Sequence, residues 1–203
     1  MDLSNSNDVI LALRQRLEPI QHAELMKNAQ QKQYPSARNA AVLITLFDEN
    51  DETFISFIRR ASTLRAHSGE IAFPGGASDA SDVSPIVTAL REAYEEIGLT
   101  PTRVDVLGIM PAVFTVVSNF LITPVVAYLP DGTGTLRKQE SEVSEIIFLP
   151  LQGLANPAIY HTEQWVRENV PHTVSFFNYG IYRIWGATAH MLKMLLELLK
   201  EAH

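Results

Sequence analysis

One helix in this chain has both of its ends marked in the sequence. Ser84 and Pro85 place a capping hydroxyl directly before a proline at the first helical position, which is a typical helix start. Gly98 is the residue type at which a helix commonly ends, because it adopts the left-handed conformation without strain. The sequence therefore predicts a helix of about fourteen residues between these signals.

Three glutamates lie close together in this helix, although like charges four residues apart destabilise helices. At roughly 3.6 residues per turn, Glu92 and Glu96 project about 40° apart and Glu95 about 60° to the other side, so all three leave from one face. Arg91 can reach Glu95 at a spacing of four residues. Isolated glutamates usually form a solvated face, and the alternative is that a cation lies among these three.

A glycine-rich loop, "FPGGASD", precedes the helix. Gly75 and Gly76 carry no Cβ, so their backbone can approach a ligand closely. The helix N-terminus and the loop amides would favour a phosphate nearby. Clustered carboxylates raise one another's pKa unless a cation compensates them, and Mg²⁺ prefers oxygen ligands. The combination predicts a metal site for phosphate chemistry.

Strand patterns occur on both sides of this region. The apolar runs "NAAVLITLFD" and "TFISFIRR" flank the turn-rich "DENDE" and predict a hairpin. Further strand candidates lie at residues 70–73, 103–114, 120–129, 143–151 and 175–184. A run of about twenty residues before residue 171 shows little periodicity.

Helical patterns appear at residues 8–31, with Pro19 as a break, and at residues 187–202. Strands mixed with a few helices predict an α/β fold in which a mixed β-sheet lies between helices. We divide the chain into an N-terminal helical arm at residues 1–36 and one domain at residues 37–203. The apolar arm leaves a homodimer possible.

Composition excludes several classes of function. A net charge of −7 argues against general binding of nucleic acid or of an anionic membrane. The chain has no cysteine, which removes disulfides, thiolate catalysis and zinc–cysteine sites. We see no signal peptide and no apolar run of the ~18 residues that a membrane-spanning helix needs. The expected location is cytoplasmic.

The segment "GGASDASDVSPIVTALREAYEEIGL" resembles the Nudix box, G-x5-E-x7-R-E-U-x-E-E-x-G-U, where U is aliphatic. The catalytic end of the box matches throughout, from Arg91 to Leu99. Counting from Gly76, the upstream acidic position falls on Asp82 instead of glutamate, and eight residues instead of seven precede Arg91. The resemblance implies a Nudix-type α/β/α sandwich and a metal-dependent diphosphatase.

A second segment, "RRASTLRAHSGEIAFPGGASD", resembles the motif LLTxRSxxLRxHxGxxxFPGGxxD of the coenzyme A pyrophosphatase branch of that family. The longer spacing before Arg91 is also a feature of that branch. The match runs in register from Arg60 to Asp79, although Ala61 stands where the motif has serine. The implied reaction converts coenzyme A or its thioesters into 3′,5′-ADP and 4′-phosphopantetheine or its acyl form.

The resemblance implies roles for the glutamates. Glu92 and Glu96 are expected as the principal ligands of Mg²⁺ or Mn²⁺, with Glu95 as a third or water-mediated ligand and the Gly76 carbonyl completing the shell. The general base is open between Glu92 and the more distant residues Glu142 and Glu145. Arg91 is expected to orient Glu95 in the catalytic cluster.

Basic residues before the glycine loop supply local positive charge that an anionic substrate needs in an acidic protein. Arginine recognises phosphate oxygens in bidentate fashion. Without the box these residues would be read as a solvated strand end, and beside it they predict substrate binding. The expected substrate-binding residues are Arg59, Arg60, Arg65, His67, Gly75 and Gly76.

Two other hypotheses remain. The same chemistry could act on ADP-ribose, NADH, a dinucleoside polyphosphate or a nucleoside triphosphate, which the box by itself does not distinguish. A Nudix-like sensor that binds a nucleotide without hydrolysing it is the second, but it predicts lost carboxylates, and Glu92, Glu95 and Glu96 are all present.

Overall fold

A computed structural model describes residues 3, 6–22, 28, 31–62, 68–167 and 169–200. Its α-helices are α1 (Ser6–Arg16), α2 (Pro85–Ile97), α3 (Leu151–Leu154) and α4 (Gly186–Lys200). Its strands are β1 (Arg38–Glu49), β2 (Glu52–Arg60), β3 (Ile71–Ala72), β4 (Gly75–Ala77), β5 (Asp105–Ile109), β6 (Val113–Thr115), β7 (Phe120–Leu129), β8 (Val143–Pro150), β9 (Tyr160–Arg167), β10 (Val170–Tyr179) and β11 (Tyr182–Trp185).

The main sheet is mixed and is centred on β1. Its principal order is β3-β2-β1-β7-β5, with β4 added to β1, β6 to β7 and β8 to β2. The β1–β7 pair is parallel, and the other pairs of this sheet are antiparallel. The predicted β1–β2 hairpin is confirmed, with Leu46 opposite Ile55.

Strand β1 is buried on both faces, which explains why its sequence is a continuous apolar run. Ala41 and Leu43 face the side of the sheet that is covered by α2. Ile44 and Leu46 face the opposite side, where α1 and α4 complete a larger apolar core. Helices therefore cover both faces of the mixed sheet, as the sequence predicted.

A second, three-stranded antiparallel sheet has the order β11-β10-β9. Strand β9 occupies the run that shows little periodicity, to which the sequence analysis assigned no strand. The reason is exposure: almost every residue of β9 is exposed on both sides. A strand whose two faces are both wet shows no apolar alternation, and its pairing with β10 decides its conformation.

Helix α1 ends well before the predicted limit of residue 31. A short 3₁₀ turn, Ile20–His22, follows Pro19, in agreement with the predicted break. Residues 23–27, 29 and 30 lie outside the described part of the chain. Leu17 is buried, and the backbone of Glu18 exchanges two hydrogen bonds of 3.1 Å with Ile109.

Helix α1 packs directly on the domain core. Val9 and Leu13 are fully buried in the cluster that α4 also lines. Arg14 pairs with Asp105 at the base of β5, and Arg16 donates to the carbonyl oxygen of Leu198. Among the described helices, none combines the length and the apolar composition that crossing a membrane requires.

The packing of α1 predicts a clear difference between two leucines of the same helix. Leu13→Ala should lower the free energy of unfolding by about 2–4 kcal/mol, because it opens a cavity in the core. Leu11, which is 58% exposed, is the matched control, and Leu11→Ala should change stability little. Urea denaturation followed by circular dichroism measures the free energy of unfolding of both variants. An equally small decrease in the two variants would contradict the burial of Leu13 in the core.

Candidate active site

Helix α2 begins and ends where the sequence predicted. The Ser84 Oγ accepts a hydrogen bond of 3.3 Å from the Val87 N–H, and Pro85 is the first helical residue. Gly98 has φ 69°, and its N–H bonds to the carbonyls of Ala93 and Tyr94. These caps fix the helix length and hence the direction of its glutamates relative to the glycine loop.

Glu96 is the buried member of the acidic cluster, with 2% of its side chain exposed. The Gly75 N–H donates to its Oε2 at 2.9 Å, and Arg60 Nη1 lies 3.6 Å from its Oε1. Burial raises the pKa of Glu96 to about 7, even though the Gly75 hydrogen bond and the Arg60 charge favour the ionised form. The charges of Glu92 and Glu142 raise it further.

Glu92 packs against the second glycine of the loop. A Cβ built on Gly76 would lie 2.5 Å from Glu92 Oε2, so any other residue here would displace the carboxylate. Burial raises the pKa of Glu92, and the charges of Glu95 and Glu142 act in the same direction. The hydrogen bond from Arg91 Nη1, at 2.8 Å, opposes these effects.

Arg91 joins the loop to the helix. Its guanidinium donates to both oxygens of Asp82, at 3.2 and 2.8 Å, and to the carbonyl oxygen of Ala77 at 3.0 Å. It also donates to Glu95 at 3.1 Å, the contact that the spacing of four residues predicted. The Arg91 guanidinium lowers the pKa of Asp82 to about 2. The sequence predicted Arg91 as an orienting residue but gave no role to Asp82, which fills the acidic position of the box.

The three glutamates have different environments, although they were predicted on one face. Glu95 is 56% exposed and pairs with Arg91, whereas Glu96 points under the loop. Glu142 is exposed and lies just before β8, where its carbonyl oxygen accepts a bond of 2.8 Å from Ala61. Its charge acts on Glu92 and Glu96, so it lies near the cluster.

The two consecutive arginines of β2 point to opposite faces of the sheet. Arg60 lies beside Glu96, whereas Arg59 donates to Glu145 at 2.9 Å and lies over the Tyr182 ring at 5.7 Å. Tyr182 also donates to Glu145 at 3.0 Å. The structure therefore brings Arg60 to the acidic cluster and places Arg59 and Glu145 elsewhere. The predicted residues Arg65 and His67 lie outside the described residues.

The donor set suits a hard divalent cation. Mg²⁺ is usually held by one or two carboxylates together with water and substrate phosphates. Glu96 is buried and Glu92 is half-buried, and burial raises the pKa of both carboxyl groups, so a nearby cation would favour their ionised forms. In the described part of the chain, no three acidic or histidine side chains are already arranged around one metal position. Glu92 and Glu96, with the Gly76 carbonyl, are the groups that would hold such an ion.

Comparisons with known proteins show the family to which the chain belongs. The NUDIX domain family matches residues 37–168, and the chain belongs to that family. A protein of Photorhabdus laumondii named "Uncharacterized Nudix hydrolase NudL" is 38% identical over 160 residues, which cover 79% of this chain and 84% of that protein. The protein of the same name from Salmonella paratyphi B is 39% identical over 158 residues, or 78% and 81% of the two chains.

A solved structure shows the same fold. The MutT/nudix family protein from Enterococcus faecalis aligns with a TM-score of 0.51 and 15% identity, over 87% of this chain and 67% of that one. The predicted Nudix-type sandwich is therefore confirmed. Nudix hydrolases generally use divalent metal ions and act on small-molecule substrates.

The burial of Glu96 predicts how pH affects the metal-free protein. Its pKa rises from 4.5 to about 7 on folding. The contribution of protonated Glu96 to the free energy of unfolding is therefore fully present below pH 4.5 and is lost as pH rises through 7. In EDTA at pH 8, Glu96→Gln should therefore be more stable than the wild type, by up to about 3 kcal/mol.

Thermal unfolding between pH 5 and 9 measures this difference. Glu140→Gln is the control, because Glu140 is 80% exposed and lies outside the cluster. Parallel pH profiles for wild type and Glu96→Gln would contradict the buried, ionisable state of Glu96.

Proposed function

We propose that this chain hydrolyses the pyrophosphate bond of coenzyme A or its thioesters, giving 3′,5′-ADP and 4′-phosphopantetheine or its acyl form. The observation that carries this proposal is the contact of Arg60 with Glu96. Arg60 belongs to the motif that resembles the coenzyme A branch, and Glu96 belongs to the Nudix box. The two sequence signals thus meet at one place in the fold.

The reaction breaks a bond between two phosphates. The oxygen of water forms a new bond to one phosphorus, the bridging P–O bond breaks, and the departing phosphate keeps the electron pair. Such a transfer depends mainly on positioning and charge stabilisation and requires no protein nucleophile. When bound, Mg²⁺ or Mn²⁺ supplies Lewis-acid polarisation of the phosphate oxygens. Glu92 and Glu96 are its proposed principal ligands, with Glu95 reaching it directly or through water.

A carboxylate must accept the proton of the attacking water. We place this role on Glu92, a half-buried carboxylate of the cluster that lies directly against Gly76 of the loop. Glu142 is the second candidate, because its exposed side chain lies near Glu92 and Glu96. Arg91 acts through Glu92 and Glu95, which it holds by hydrogen bonds. Glu145 is less suited to this role, because Arg59 and Tyr182 occupy both of its oxygens.

Substrate binding is assigned to the same end of the molecule. Arg60 would meet the pyrophosphate, and Gly75, Gly76, Arg65 and His67 are retained as predictions from the motif, although the Gly75 N–H already donates to Glu96. Arg59 remains a prediction too, although its contacts with Glu145 and Tyr182 favour a role in the fold. The arm at residues 1–36, the domain at residues 37–203, a cytoplasmic location and a homodimer also remain predictions.

Product analysis tests the substrate assignment. Purified protein with Mg²⁺ or Mn²⁺ receives coenzyme A, ADP-ribose, NADH and ATP in parallel, with an EDTA control. We expect 3′,5′-ADP from coenzyme A to be the fastest product by chromatography and to disappear in EDTA. Faster cleavage of another diphosphate would keep the catalytic cluster and remove the coenzyme A assignment. No cleavage at all would favour the nucleotide-sensing alternative.

Glu96→Gln tests the catalytic cluster independently of the substrate. Loss of this ionisable ligand should reduce turnover by roughly a hundredfold or more, because the charge that holds the metal ion is removed. Glu140→Gln should retain wild-type turnover, since Glu140 pairs only with exposed Lys138 among the described residues. Turnover of Glu96→Gln at the wild-type rate, with metal ion still required, would exclude Glu96 as a ligand.

A further inference from the structure

Two arginines contact the acidic cluster, and they are held in different ways. Arg91 is fixed by hydrogen bonds to Asp82, Glu92 and Glu95. Arg60 approaches Glu96 at 3.6 Å between Nη1 and Oε1, which is too long for a hydrogen bond. Arg60 is therefore attracted to Glu96 by charge, whereas Arg91 is held in place by hydrogen bonds.

The remaining contacts of Arg60 support this difference. Its Nε is buried and has no hydrogen-bond acceptor among the residues described. A buried ion pair that serves only the fold is normally closed by hydrogen bonds, because otherwise the cost of removing both charges from water is not recovered. The Arg60 side chain also keeps 26% of its surface exposed, so one side of it faces solvent.

The charges around Glu96 give Arg60 a specific task. Glu92 and Glu142 act on Glu96 with like charge, and among the residues that the structure describes the charge of Arg60 opposes them. A divalent cation held by Glu92 and Glu96 would supply more positive charge at the same place. Arg60 would then be repelled from Glu96 and left without its partner.

We propose that Arg60 is an exchangeable counter-cation: it neutralises Glu96 when no metal ion is bound and turns to the phosphate oxygens of the substrate when one is. The proposal rests on the proposed function, because it requires a phosphate-containing substrate beside the metal ligands. A guanidinium suits both partners, since it pairs with carboxylates and with phosphates in the same bidentate geometry. Because Arg60 and the metal ion compete for Glu96, Arg60 weakens the binding of metal ion alone. Because its guanidinium pairs with phosphate oxygens, Arg60 strengthens the binding of a diphosphate to the metal-loaded protein.

Calorimetric titration with Mn²⁺ alone, at pH 8.5 to limit competition by protons, tests the first half. Arg60→Met should bind Mn²⁺ about tenfold more tightly than the wild type, because a competing cation has been removed. Arg60→Gln is a second charge-removing variant in case the first does not fold. Arg60→Lys should stay near the wild type. Arg59→Met is the matched control: it removes the same charge from the adjacent residue on the opposite face, and Mn²⁺ affinity should not change.

The KM for coenzyme A tests the second half. In the Mn²⁺-loaded enzyme, Arg60→Met and Arg60→Lys should both raise KM, by about tenfold, with a smaller change in kcat, because lysine lacks the planar fork. Unchanged or weaker Mn²⁺ binding by both charge-removing variants would overturn the counter-cation role. Tighter Mn²⁺ binding with an unchanged KM would overturn the exchange to substrate.

These outcomes are separate from failure of the proposed function. If the wild type binds Mn²⁺ but cleaves none of the offered substrates, the proposed function and the substrate half of the exchange fail, whereas the titration with Mn²⁺ still decides the role of Arg60 towards Glu96. A wild type that does not bind Mn²⁺ would overturn both proposals.

Discussion

The site depends on the burial of one carboxylate, Glu96, beneath the glycine loop. A carboxylate with 2% of its surface exposed loses most of its hydration, and the cost of ionising it appears as a raised pKa. The protein meets part of this cost with the Gly75 N–H and the Arg60 charge. A divalent cation bound beside Glu96 would reduce the part of this cost that remains. The acidic cluster is thus incompletely neutralised, and this supports its proposed role as a metal site.

The glycine loop and helix α2 are positioned against each other by close backbone contacts and by hydrogen bonds. Gly75 approaches β1 so closely that a Cβ would lie 2.4 Å from the Ala41 carbonyl oxygen. Gly76 gives the same clearance to the Glu92 carboxylate. Arg91 then ties the loop to the helix through Asp82. Backbone and side chains are therefore positioned together, and the mixed sheet acts as the rigid support on which they meet.

Much of this could be predicted from local sequence signals. The caps at Ser84 and Gly98, the β1–β2 hairpin and the long apolar strand β7 depend on neighbours in the chain, and each lies where it was predicted. Strand β9 could not be predicted, because its exposed residues carry no apolar pattern and its partner β10 decides its structure. The end of α1 is set by Leu17 and by the backbone pairing of Glu18 with Ile109, a contact between distant parts of the chain.

The sequence by itself determined the family, the positions of the glutamates and the arginines that accompany them, because these follow from residue types at fixed spacing. Only the tertiary structure decided whether each of these charged side chains is buried, exposed or paired. It buried Glu96, left Glu95 exposed, and sent Arg59 and Arg60 to opposite faces of one strand. The physical reason is that burial and ion pairing depend on which distant segments cover a side chain. Residue spacing shows from which side of a helix or strand a side chain projects. It carries no information about which distant segment packs against that side.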